Sequence, residues 1–283
     1  MLPDDVDGAA AVGRAALEVL YPVEFRPADA AARALGVERS RTRVGHLRDS
    51  DPDGAWVAEL DGEIVGIALA LVREGLWGFS LFGVTPGVQG QGIGGPLLEG
   101  ALRTAEGCRG AIILSSSDPR AMRRYWRAGF RGQPTYAAAG ILNRSRIPTG
   151  LLARPGDLEA DRETIDAASR FVRGASHAQD IPTMLATGCE LLVIPGRGWA
   201  AARDGSPMLV AALDDAAATD LTWSCLATAG AGAPVHLDFL GPGNDWAVEL
   251  VLDAGLSLTP DGPIFVRGDV GRLAPYLPSG AYL

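Results

Sequence analysis

The sequence predicts an α/β (α+β) protein built from two halves of matching element order, and three observations carry that reading. Apolar runs of strand length at Ala55–Leu60, Ile64–Val72 and Gly75–Val84 are joined by hairpin-length turns, which implies antiparallel pairing. A glycine-rich stretch then leads from Val84 to a helical pattern of Leu97, Leu98, Ala101, Leu102 and Ala105. Finally, an offset of 126 positions aligns Ala128-Gly129-Phe130 with Ala254-Gly255-Leu256 without a gap. The same offset pairs Asp118 with Asn244, Ala111–Leu114 with Leu237–Leu240, and Val84 with Val210.

The elements follow in order. Asp4 and Asp5 can cap a helix through Ala9, Val12, Ala15, Ala16 and Val19, which Pro22 stops. Arg26–Ser50 reads as one or two polar helical pieces, and Asp61-Gly62 sits where a hairpin turn belongs. Beyond the glycine stretch and its helix, Ala111–Leu114 is a strand. A helix capped near Asp118-Pro119 carries Met122, Tyr125 and Trp126 and ends at Gly129. Tyr136–Leu142 is a further strand, and residues 146–150 read as a linker. The second half runs helix (Asp157–Arg173), strands (Glu190–Ile194, Gly198–Arg203, Pro207–Leu213), helix (214–229), strand (Val235–Leu240), helix (Asp245–Ala254) and strand (Pro263–Arg267). The expected domains are 1–147 and 148–283.

Composition narrows the function. The 283 residues are 47% hydrophobic and 21% charged, the composition of a globular chain with room for a real core. The net charge of −9, with every basic residue an arginine, argues against nucleic acid, which wants a basic surface. Cys108, Cys189 and Cys225 are widely spaced and odd in number, which suggests reduced thiols and a cytoplasmic protein. His46, His177 and His236 show no ligand spacing, so no metal is expected, and no apolar run is long enough to cross a membrane.

The glycine stretch is the chemical centre of the sequence. Glycines let the N–H groups of Gln89, Gly90, Gln91, Gly92, Ile93, Gly94 and Gly95 converge, and the following helix start adds unpaired donors and a positive dipole end. Pro96 fits the first helical turn, where its missing N–H costs nothing. The loop is expected to hold phosphate. Two patterns overlap on it: Gly90-x-Gly92-x-x-Gly95 matches a dinucleotide fingerprint, and Gln89-x-x-Gly92-x-Gly94 matches a coenzyme A pyrophosphate loop. A glycine-rich turn with no ligand is the third reading.

Val84-Thr85-Pro86, Gln89-x-x-Gly92-x-Gly94 and Asp118-Pro119-x-Ala121-x-x-x-Tyr125-x-x-x-Gly129-Phe130 together resemble the GNAT superfamily of acetyltransferases, over roughly Asp4–Ile141. The second half resembles the same fold more faintly. The resemblance implies two tandem GNAT-like domains, each a mixed, mostly antiparallel sheet flanked by helices, the second copy degenerate. It implies an acetyl-CoA-dependent N-acetyltransferase, with acetyl-CoA as cosubstrate and no metal. It also implies direct transfer to a primary amine, taken here as that of a small molecule. The backbone at Val84 would pair with the pantetheine arm and stabilise the oxyanion, residues 89–95 would hold the pyrophosphate, and Tyr125 would be the general acid for the leaving thiolate. A phenol near ~10 can protonate a thiolate whose acid lies near ~8.5.

The general base is not marked. Many relatives carry a glutamate on the strand before the loop, where this chain has Phe79, Ser80, Leu81 and Phe82. Glu24, Glu38, Glu59 and Asp61 are candidates only as acids in the correct half, and a water chain is the other. At the 126 offset the loop becomes Asp215–Asp220, acids that suit a helix cap and repel a pyrophosphate, while Tyr125 becomes Val251. The second half is therefore expected to wall the acceptor cleft or to make a subunit contact in a homo-oligomer. A non-catalytic coenzyme A sensor or scaffold is the alternative function, and a nicotinamide-dependent enzyme the more distant one.

Overall fold

The computed structural model describes residues 1–18 and 29–283. Val19, Pro22, Glu24 and Arg26 lie outside the described residues. The chain forms two compact units, Met1–Cys108 and Arg109–Leu283.

In the first unit, helices α1 (Val6–Glu18) and α2 (Ala30–Ser50) precede strands β1 (Ala55–Leu60), β2 (Glu63–Arg73) and β3 (Leu76–Val84), and α3 (Gly94–Leu102) follows. Asp29 caps α2 by accepting the Ala32 N–H at 2.8 Å, and from Ala30 to Ser50 the polar stretch is one continuous helix. Asp61 and Gly62, at φ 52° and 82°, make the two-residue turn of the β1–β2 hairpin. Both pairs, β1–β2 and β2–β3, are antiparallel.

Close helix packing on this sheet depends on missing side chains. On one face a Cβ at Gly13 of α1 would stand 2.7 Å from Leu81 Cδ2, and one at Gly83 would stand 2.7 Å from Ala16. On the other face a Cβ at Gly66 would stand 2.7 Å from Leu97 Cδ1 of α3. The core between them is Ile67, Leu69, Leu71, Trp77, Leu97 and Ala101.

Ser80 forms a bulge in β3: Leu69 faces Leu81 while the next residue, Ala70, faces Phe79. The extra residue reverses the alternation of side chains. Trp77 and Phe79 before it, and Phe82 after it, stack on one face, with centroids 5.4 Å apart in each pair. Val84 therefore shares the α3 face with those aromatics.

The second unit contains β4 (Gly110–Leu114), α4 (Pro119–Arg127), β5 (Arg131–Ile141), β6 (Arg154–Pro155), α5 (Arg162–Arg173), α6 (Ile181–Ala186), β7 (Glu190–Ile194), β8 (Gly198–Arg203), β9 (Ser206–Ala212), α7 (Asp215–Ala227), β10 (Pro234–Leu240), α8 (Asp245–Asp253), β11 (Ser257–Gly268) and β12 (Tyr276–Leu277). One run of strands is ordered β4-β11-β5-β10 and the other β12-β9-β8-β7-β6, antiparallel throughout. Helix α8 begins and ends 126 positions after α4. Both close the same way, with Phe130 and Leu256 donating N–H back to Tyr125 and Val251.

Strand β11 inserts between β4 and β5, and β10 takes the far edge of β5. At the middle of the β5–β11 pair, Thr135 faces Asp261, its own counterpart at the 126 offset. The expected boundary at 147/148 falls within this second unit. Leu192, Ala200, Val210, Leu221, Val235 and Leu250 belong to its core.

Some boundaries differ from expectation for local reasons. Helix α5 starts at Arg162 rather than Asp157, because Asp157 spends its carboxylate on the Glu159 and Ala160 N–H groups in a turn. β11 begins at Ser257 rather than Pro263. Asp261 holds Pro260-Asp261-Gly262 within the strand by accepting the Phe239 and Gly262 N–H groups.

Candidate functional site

The expected site residues fall in both units, and each set is described in its own unit. In the first unit, the Thr85 N–H donates to the Val65 carbonyl at 2.9 Å. Hydrogen bonding alternates along an antiparallel pair, so Val84 turns its N–H and C=O away from β2. The Gln89 side-chain amide comes back to this edge and donates to the Val84 carbonyl at 2.9 Å. Gln89 thereby ties the loop to the strand end and leaves the Val84 N–H aimed along the same edge.

Pro86–Val88 form one turn of 3₁₀ helix, and Gly90 and Gly92 follow with φ of 87° and 90°. Those values are comfortable only for glycine, and a Cβ on either residue would meet no atom within 4 Å. The two glycines therefore bend the backbone while leaving open space above it. Gln91 is exposed, Ile93 and Gly95 are half-buried, and Gly94 is buried at the first position of α3. No side chain caps α3, and Pro96 stands in its first turn. Together these residues make a glycine-bent stretch of backbone leading into a helix N-terminus; the Gln89 and Gly95 N–H groups donate to the Pro86 and Gly92 carbonyls, and the others can receive a phosphate group.

None of the acids offered as candidates for the base lies on β3. Glu38, Glu59 and Asp61 are all exposed, and β3 carries no carboxylate. At the bulge the Arg43 guanidinium of α2 donates to the Ser80 carbonyl and, at 2.8 Å, to the Ser80 hydroxyl. This contact between α2 and the bulge is a feature the sequence reading missed. The only sequence signal was a serine amid aromatics.

In the second unit, Asp118 caps α4 by accepting the Arg120 N–H at 2.8 Å, and the Arg120 side chain holds its carboxyl below the usual range. Tyr125 on α4 is 4% exposed and packs edge-on against Phe265, with centroids 5.5 Å apart. Burial, and secondarily the Asp118 charge, push its phenol well above its ordinary value, so it keeps its proton. Trp126 is exposed beside it and lies under the Arg131 guanidinium.

The degenerate counterpart of the loop is also visible. Asp214, not Asp215 or Asp220, caps α7 by accepting the Ala217 N–H, and it pairs with Arg197. Asp220 accepts the Leu152 and Ala153 N–H groups instead, at 2.9 and 3.1 Å. Val251 is fully buried. Among the described residues no group of His, Cys, Asp and Glu could hold a metal ion, and no helix is long and apolar enough to cross a membrane.

An antiparallel β1–β2–β3 meander ahead of a glycine loop and helix is not a parallel dinucleotide-binding unit. It is the arrangement of a GNAT fold, and residues 51–132 match the acetyltransferase (GNAT) domain family. That match takes in β1–β3, the glycine loop, α3, β4 and α4. It is 37% identical over 90 residues to mycothiol acetyltransferase of Streptomyces avermitilis, a match that covers 30% of this chain and 29% of that protein. Across its whole length it is similar in fold to a putative acetyltransferase from Pyrococcus horikoshii, with a TM-score of 0.79 at 15% identity, covering 100% of this chain and 94% of that one. A tandem GNAT protein from the clavulanic acid biosynthesis pathway shares the fold with a TM-score of 0.56 at 14% identity, covering 94% and 96% of the two chains.

Proposed function

We propose that this chain is an acetyl-CoA-dependent N-acetyltransferase that acylates a primary amine of a small molecule by direct transfer. The observation that carries the reading is the strand end itself. The Val84 N–H points away from β2, Gln89 clamps the Val84 carbonyl, and two positive-φ glycines lead into an uncapped helix. Acetyl-CoA supplies the activated acyl group. The Val84 N–H would bind the acyl oxygen, and the backbone of 89–95 the pyrophosphate. Tyr125 would hold a proton for the departing thiolate. Water would deprotonate the amine, since no carboxylate stands on β3. We propose in addition that the chain comprises two GNAT-like repeats, 1–147 and 148–283, with a cytoplasmic location.

The experiment is thiol release from acetyl-CoA with a panel of amines, small molecules beside peptide N-termini and lysine side chains. Release with a small amine supports the proposal, and release only with peptides moves the acceptor class. The missing β3 carboxylate favours one second reading, a coenzyme A-binding sensor. Tight binding with no turnover on any amine would establish it.

A further inference from the structure

We infer that Pro275–Leu277, anchored by the residues that follow as far as Leu283, is a built-in occupant of the second half, lying along β9 where the acyl-donor arm would lie along β3. The inference rests on the coenzyme reading of Val84 for its comparison, and on backbone geometry for its substance. Val210 is the counterpart of Val84 at the 126 offset. The Leu213 N–H donates to the Arg197 carbonyl of the β7–β8 side, so by alternation Val210 turns its N–H and C=O away from β8. That is the orientation Val84 has relative to β2. At Val84 the edge meets Gln89; at Val210 it meets the chain itself. Leu277 pairs with Val210, Tyr276 pairs with Ala211, and the Ala212 N–H donates to the Pro275 carbonyl at 3.3 Å.

The segment is held by three buried polar side chains that also bind their own surroundings: Asn244 accepts the Trp246 Nε1–H, Arg173 donates to the Ala175 and Ser176 carbonyls, and His177 packs on Trp199. Asn244 begins α8 as Asp118 begins α4, yet its side chain does not cap the helix. It is 2% exposed, donates from Nδ2 to the Leu273 carbonyl at 2.9 Å, and accepts the Tyr276 N–H at 2.8 Å. Only an amide can do both; an aspartate has no donor. The change from Asp118 to Asn244 thus converts a helix cap into a clamp for the strand. Further on, buried Arg173 donates to the Tyr282 and Leu283 carbonyls at 2.7 and 2.5 Å. His177 Nε2 lies 2.9 Å from the Tyr276 hydroxyl and 2.7 Å from the Leu283 carbonyl. Tyr276, Leu277, Tyr282 and Leu283 are all buried. The strand edge equivalent to the coenzyme edge is therefore occupied and locked; with the acids Asp215 and Asp220 on α7 in place of a glycine loop, a single acetyl-CoA per chain is expected.

Amide hydrogen exchange tests this on three proteins: the full chain, a chain ending at Ala274, and the full-length Asn244→Asp variant. In the full chain acetyl-CoA should slow exchange at 84–95 and leave 209–212 unchanged and already slow. Asn244→Asp should speed exchange at 209–212 by roughly tenfold, the effect of one buried hydrogen bond lost. The shortened chain should do so more strongly, and a synthetic peptide of residues 274–283 should restore slow exchange where acetyl-CoA does not. Unchanged exchange at 209–212 in Asn244→Asp and in the shortened chain would overturn the inference. So would acetyl-CoA protecting 209–212 of the full chain as it protects 84–95. If acetyl-CoA protects neither edge, the coenzyme reading fails, and the two variants still decide what holds β9.

Discussion

Replacing Gly92 by aspartate separates the loop's ligand role from its structural one. The backbone there has φ of 90°, so any side chain costs about 1–2 kcal/mol of stability. Nothing stands within 4 Å of the added Cβ, so no clash adds to that figure. Gly92→Ala carries the same backbone cost without the charge and serves as the control. Against a bound pyrophosphate, an aspartate about 4 Å from one negative oxygen is repelled by ~4 kcal/mol at an effective dielectric of 20. That is about a thousandfold in affinity. Acetyl-CoA at 100 times its dissociation constant stabilises the native protein by about 2.7 kcal/mol. For a chain of this size that is roughly 5–10 °C of melting temperature. In Gly92→Asp the same concentration should give a shift too small to measure, while the apo protein melts close to Gly92→Ala. A thermal melt with and without acetyl-CoA, backed by titration calorimetry, reads both quantities. An aspartate variant that keeps the full ligand shift would show that the glycines shape a turn and nothing more.

Other outcomes follow from the same geometry. Gln89→Ala removes the clamp on the Val84 carbonyl and should weaken acetyl-CoA binding by about tenfold, read by calorimetry, with the fold retained. Tyr125→Phe should lower kcat by ~10²–10⁴-fold at unchanged coenzyme affinity. Because burial raises the Tyr125 phenol, wild-type kcat should not fall through the ordinary tyrosine range near ~10; a decline there would mean the acid is elsewhere. Arg154 holds the Asp161 carboxyl below its usual range, with bonds of 2.6 and 2.9 Å. A depressed carboxyl stabilises the fold above its unfolded value near ~3.9 and loses that contribution as pH falls through its folded value. Asp161→Asn should therefore be ~1–3 kcal/mol less stable than wild type at pH 7, with the gap closing as acid protonates the Asp161 carboxyl, by urea denaturation.

Much of this was legible in the sequence because it is local. The Asp61-Gly62 turn, the cap at Asp118, the stop at Gly129 and the glycine loop depend on residues a few positions apart. Their chemistry is written in those residues. The glycine loop and the Tyr125 helix could both be found this way. What stayed hidden depends on distant partners. Pro260-Asp261-Gly262 has the composition of a turn, and only pairing with β5 draws it into a strand. The Arg43 contact with Ser80 joins residues 37 positions apart. The bulge that sets the face of Val84 appears only when β2 is laid beside β3. The clamp role of Asn244 was readable in part, as an Asp-to-Asn difference between aligned positions, but its partners lie near the far end of the sequence.

The placement of β11 between β4 and β5 bears on how the molecule is made. During synthesis, β4 and β5 leave the ribosome well over a hundred residues before the strand that joins them, and until then both present bare edges. A nascent chain in that state can pair with a neighbour's β11 when its own is late, although its own has the higher effective concentration. At high expression, entangled dimers that share intact sites are the expected by-product, whereas slow translation of the second half should lengthen the exposure. Severing the gene near Pro148 should yield two insoluble fragments that recover together when co-expressed.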